Sequence, residues 1–156
     1  MERIASFGVD HLTLEEGLYV SRIDGDIITY DLRMCKPYSN KLLAHEQMHT
    51  MEHLMATILR NNKKFGPSII YFGPMGCQTG FYLLLDLRKV AFTNQELVNV
   101  LIDTFENIEM WNEEVPGNSR IECGNCDTLN LAAAKEVATN YKEVLKNINN
   151  IDTLGY

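Results

Sequence analysis

Two β-biased runs, residues 18–22 and 27–33, stand on either side of Asp24-Gly25. That pair favours the positive dihedrals of a tight hairpin turn, so the chain is committed early to an antiparallel sheet. Farther along, Ala44, Met48, Met51, Met55 and Ile58 recur at spacings of four and three, the period of an amphipathic helix that Asn61-Asn62 should close. Residues 69–72 and 81–87 read as two more strands, joined by the glycine-rich GPMGCQTG. Thr93 followed by Glu96 fits a capping box opening a helix through Trp111, with Leu97, Leu101, Phe105 and Ile108 as its apolar face. A last helix is expected from about Asn130 to Asn147. Strands and helices are partly segregated, which predicts an α+β fold: an antiparallel sheet of about four strands packed with three to four helices. With 156 residues, no internal repeat and no long linker, the chain reads as a single domain, 1–156.

Charge and cysteine usage narrow the function classes. The chain carries 21 acids against 14 bases, a formal charge of -7, and no basic run long enough to form a stripe. Nucleic acid and anionic membrane are therefore not expected partners. MERIASFGVDH lacks the apolar core of a signal peptide, and the longest apolar runs are too short to span a bilayer. A cytoplasmic protein is expected. In that reducing compartment Cys35, Cys77, Cys123 and Cys126 suit metal ligation or reactive thiols better than disulfides.

The chemistry begins at HTMEH, residues 49–53. At 3.6 residues per turn His49 and His53 lie on one helix face, about a turn apart, so their rings can converge on one ion. That face points roughly 160° from the Met48/Met51/Met55 seam, so the core claims the other side. His45 continues the stripe, but about 12 Å of rise separates it from His53, too far for both to bind one ion at about 2 Å. The inverted pattern H-x-x-E-H places Glu52 where a carboxylate can reach a metal-bound group without being a ligand. The bland reading is a solvated polar face on a surface helix.

A third ligand must come from elsewhere. ECGNC, residues 122–126, supplies two thiols, and a lone C-x-x-C is not a zinc ribbon. His49, His53 and one cysteine would leave an open position, as a catalytic site requires; both histidines with both cysteines would make a closed structural site. A nucleoside-deaminase pattern fails on order, because Glu52 directly precedes His53 and Glu122 stands where a proline is wanted. Cys77 lies in the glycine-rich turn, where backbone amides can approach a ligand or stabilise a thiolate; alone it would be read as structural. Beside a metal and a carboxylate it becomes a second acid or base.

These pieces coincide with one family. The chain resembles the S-ribosylhomocysteine lyase (LuxS) family over nearly its whole length, through SFGVDH (6–11), YDLRMCKP (30–37), HTMEH (49–53), PMGCQTGFY (74–82), ECGN (122–125) and NLAAAK (130–135). The resemblance implies a LuxS-like fold and a homodimer with active sites at the subunit interface. It implies His49, His53 and Cys123 as metal ligands, Glu52 and Cys77 as acid/base residues, and Ser6, His11 and Arg33 as residues that bind or orient substrate. One divalent ion per subunit is implied, ferrous iron natively, with zinc or cobalt as isolated. Tyr71 and Gly73 depart from the family pattern, which has aspartate and serine there, and Cys126 is extra.

The implied reaction cleaves the thioether of S-ribosylhomocysteine to homocysteine and 4,5-dihydroxy-2,3-pentanedione, the autoinducer-2 precursor. Two carbonyl shifts along the sugar, carried by proton transfers, precede a β-elimination that expels the thiol. The rival readings are a non-enzymatic domain with a closed zinc site of two histidines and two cysteines, and a hydrolase.

Overall fold

The computed structural model describes Ile4 and residues 7–156. Strands β1 (Gly17–Asp24), β2 (Ile27–Arg33), β3 (Ile69–Pro74) and β4 (Gly80–Asp86) form one antiparallel sheet in the order β1-β2-β4-β3. Helices α1 (His45–Asn61), α2 (Asn94–Met110) and α3 (Leu131–Lys146) complete the α+β architecture that the patterning predicted. α1 packs on β3 and α3, while α3 also packs on α2 and β1. The shared core takes Tyr30, Leu32, Phe81 and Leu83 from the sheet, and Leu54, Phe105 and Tyr141 from the helices. No helix among the described residues is long and apolar enough to cross a membrane.

The first turn sits one residue later than expected. Asp24 still pairs with Ile27, so the loop residues are Gly25 and Asp26, and Gly25 takes the positive φ of 61°. Glycine opens the loop, as a type II′ hairpin requires. The strand that leaves it, β2, is flanked by β1 and β4 and is buried on both faces. Its even residues, Ile28, Tyr30 and Leu32, enter the core; by the two-residue period Thr29, Asp31 and Arg33 share the opposite face. Across that outer face Tyr19, Asp31, Tyr82 and Gly73 align in register.

α1 buries Thr50, Met51, Leu54, Met55 and Leu59. The expected seam was rotated slightly, because Ala44 is an exposed cap while Met48 and Ile58 only flank the core. Contact with both β3 and α3 widens the buried arc and centres it on Leu54. The capping box on α2 is present, with Thr93 Oγ1 accepting from the Glu96 N–H and Glu96 Oε2 accepting from the Thr93 N–H. α3 opens on Asn130, whose side-chain oxygen accepts from the Ala133 N–H, and is capped at its other end by Asn147.

Candidate metal centre

The histidine pair does point away from the core, but it is not on a wet face. Residues 112–130 run back over α1 from the end of α2 to the start of α3, and leave both rings half-buried. His53 Nδ1 donates to the Pro116 carbonyl at 2.7 Å. His49 Nδ1 lies 2.7 Å from Thr128 Oγ1, which donates its own proton to the Asn125 carbonyl at 3.0 Å. Thr128 therefore accepts, and the His49 proton is on Nδ1. Both histidines are left with the Nε2 lone pair free.

Those nitrogens meet Cys123. The ligand atoms of His49, His53 and Cys123 all lie within 4.8 Å of one another, with Cys123 Sγ 3.3 Å from His49 Nε2. The Asn125 N–H donates to the same sulfur at 3.4 Å. Partial burial, then the neighbouring His53 and His45, lower the His49 pKa from its ordinary value, so the ring is neutral where a ligand must be. Two fixed imidazole lone pairs and a cysteine sulfur fit a divalent cation, and three protein donors leave the fourth tetrahedral position open.

Cys126 is not among the converging donors. It is buried in the short helical turn Cys126–Thr128, its sulfur directed toward Asp127. The closed arrangement of two histidines and two cysteines is thus not the one built here. His45 is exposed and outside the cluster. Glu52, half-buried on α1 directly before His53, makes no side-chain hydrogen bond or ion pair to any described residue. Its carboxylate is uncommitted among the described residues.

A second polar group forms where β2 meets the β3–β4 turn. Arg33, 3% exposed, pairs with the fully buried Asp31 and donates to Thr79 Oγ1 at 2.5 Å. Its Nη1 also lies 4.0 Å from Cys77 Sγ, and that sulfur is 3.0 Å from Thr79 Oγ1. Burial pushes the Asp31 carboxyl up, only partly offset by Arg33. Burial works against the Arg33 charge as well, yet Asp31 holds its pKa above the usual value. Tyr156 donates to Asp31 Oδ2 at 2.8 Å and stacks on Tyr19 with ring centres 4.8 Å apart. His11 is half-buried and bonded to the Val9 carbonyl at 2.9 Å, close enough to Asp31 to act on its charge. Ser6 lies outside the described residues.

Tyr71 and Gly73 are coupled in space. The Tyr71 ring lies over Gly73, where a Cβ would stand 1.9 Å from the Tyr71 hydroxyl. A serine at 73 could not coexist with this placement of the ring. Sequence reasoning did not pick out Thr79, Asp31, Thr128 or Tyr156. Asp31 and Arg33 could have been paired by strand periodicity alone, since residues two apart share a face; the others are joined only by the fold.

A family model described as LuxS, S-Ribosylhomocysteinase, matches residues 4–152. The S-ribosylhomocysteine lyase of Clostridium acetobutylicum is 42% identical over 160 aligned residues, which cover 100% of this chain and 99% of that protein. The enzyme of the same name from Desulfotalea psychrophila is 45% identical, covering 95% of this chain and 94% of its own. That from Borreliella afzelii is 40% identical, with 95% of each chain covered.

Proposed function

Because the chain belongs to the S-ribosylhomocysteinase (LuxS) family, we propose that it is an S-ribosylhomocysteine lyase, a carbon-sulfur lyase working at the His49, His53 and Cys123 centre. The observation that carries this reading is the convergence of those three donors beside an uncommitted Glu52 on the same helix. His49, His53 and Cys123 would hold one divalent ion, and that ion, when bound, supplies Lewis-acid polarisation of the substrate's carbonyl oxygen. Ferrous iron is the proposed native metal, with zinc and cobalt as substitutes that a donor set of two imidazoles and one thiolate also accepts.

The protein's own groups then move protons. Glu52 and Cys77 are the proposed carriers: in each shift a proton leaves the carbon beside the carbonyl and one is added to the carbonyl oxygen, then a proton leaves the neighbouring hydroxyl and one is added to the former carbonyl carbon, so that the carbonyl passes from C1 to C2 and then to C3 without net redox change. Loss of the C4 proton then forms the C4–C5 double bond as the C5–S bond breaks. The electron pair leaves on sulfur, which is protonated to give homocysteine, and the C4 enol left behind gains a proton at C5 and loses the one on its C4 oxygen, which gives 4,5-dihydroxy-2,3-pentanedione. Arg33, His11 and Ser6 are the proposed substrate-side residues. The dione feeds autoinducer-2 formation, and the thiol returns to methyl metabolism.

The chain is proposed to act as a single domain in a cytoplasmic homodimer with active sites at the interface. The Arg33–Cys77 group and the metal centre stand on different elements, with no hydrogen bond between them among the described residues. On the outer sheet face Ser21, Arg22, Thr29, Tyr71, Tyr82 and Leu84 line a hollow of about 330 Å³ that a partner sheet could fill. The four cysteines are free, as a reducing compartment keeps them.

Protein loaded anaerobically with iron or cobalt is expected to release one free thiol per S-ribosylhomocysteine consumed, followed with a chromogenic thiol reagent. No homocysteine release from metal-replete protein would overturn the lyase assignment.

A further inference from the structure

We propose that Thr79 is a positioning residue for Cys77: its hydroxyl carries the charge of Arg33 to the Cys77 sulfur and adapts its hydrogen bond to whether that sulfur holds a proton. This rests on the reading of Cys77 as a proton carrier. The geometry is specific. Thr79 is 3% exposed, and its Oγ1 lies 2.5 Å from Arg33 Nη1 and 3.0 Å from Cys77 Sγ. A guanidinium has only donors, so Thr79 must accept from Arg33. Its single proton is thereby free for the sulfur, and donates when Cys77 is a thiolate. When Cys77 is a thiol, the hydroxyl's second lone pair can accept from S–H instead. A group that gives and takes a proton needs a neighbour of this kind.

Arg33 does not serve the sulfur alone, because its 4.0 Å separation from Sγ is long for a charge-assisted bond. Its position is held from behind, with Asp31 gripping Nη2 and Tyr156 gripping Asp31. The Thr79 backbone is held independently: its carbonyl accepts from the N–H groups of both Met34 and Cys35 at 2.9 Å. The hydroxyl can therefore be removed without releasing the turn. Among the described residues, the titratable and charged groups that act on Cys77 are Arg33 of β2 and Tyr82 of β4, with Asp31, Tyr156 and His11 grouped behind Arg33. Replacing Thr79 leaves all of them in place.

The experiment measures alkylation of Cys77 by iodoacetamide against pH in the metal-loaded protein, with the modified peptide identified by mass spectrometry. Cys35 does not compete, since burial pushes its thiol up to about 11. Thr79→Val is expected to move the midpoint of the profile upward and to slow alkylation at neutral pH by about tenfold, the change that one unit of pKa represents. Thr79→Ser should restore the wild-type profile. Turnover of Thr79→Val should fall by a similar factor in kcat with KM little changed. If Thr79→Val does not fold, Thr79→Ala, which cannot clash, carries the same expectation. A profile for the folded Val or Ala variant that superimposes on wild type overturns the proposal. So does failure of serine to rescue. Alkylation requires no turnover, so a protein that releases no homocysteine would refute the lyase reading while leaving the assignment of Thr79 to be decided by its own profile.

Discussion

Cys123→Ser is expected to lose most of its metal and its turnover, whereas Cys126→Ser keeps both. The two residues are three apart, and a knuckle-like turn could bring both sulfurs to one ion, so spacing cannot choose between them. The fold does choose. Cys123 Sγ lies among the imidazole nitrogens and receives the Asn125 N–H, while Cys126 is buried in the next turn and faces Asp127. A serine oxygen at 123 is a hard, largely protonated donor in place of a thiolate, and two histidines alone hold a divalent ion weakly. The measurement is metal content per chain after dialysis, together with the visible spectrum of the cobalt form, in which thiolate-to-metal charge transfer scales with the number of bound sulfurs. A signal that halves in Cys126→Ser, with metal lost as well, would mean four protein ligands and no room for substrate.

The second large effect should fall on turnover alone. Cys77→Ala and Glu52→Gln are each expected to bind metal normally and to lose activity by roughly 10²- to 10⁴-fold, the usual contribution of a positioned acid or base. Neither residue is among the converging donors, so neither substitution removes a ligand. Metal loss in Cys77→Ala would overturn its role. Exchange of substrate protons with solvent separates the two carriers: a variant that still exchanges but releases no thiol retains enolisation and lacks the later elimination step.

Much of this site was legible because helix periodicity is local. A four-residue spacing puts His49 and His53 on one face whatever surrounds them, and the capping box at Thr93 and the face of α2 follow from the same short-range geometry. What fixes the histidine tautomers was not legible. Pro116 and Thr128 lie 63 and 79 residues from their partners and belong to an irregular segment with no periodic signal. The turn before β4 shows a subtler difference. Its glycines suggested backbone freedom, yet the positive φ falls on Gln78, at 62°. The cap of α1 was misplaced into its apolar seam because alanine reads as apolar in any position, although Ala44 is exposed and only its backbone is used, its N–H by Gln47 and its carbonyl by the Met48 N–H.

The segment over α1 is fastened at both ends to the helix that supplies the histidines. At one end the Pro116 carbonyl takes the His53 proton; at the other Thr128 takes that of His49, and the Asn130 N–H donates to Thr50 Oγ1 at 2.7 Å, while Thr50 donates to the Glu46 carbonyl. This stretch is therefore held to α1 by hydrogen bonds among the protein's own groups. Small zinc-dependent domains behave oppositely, since for them binding and folding are a single event. Here the far-ultraviolet circular dichroism is expected to survive chelation: the ion would be a tenant and not a foundation.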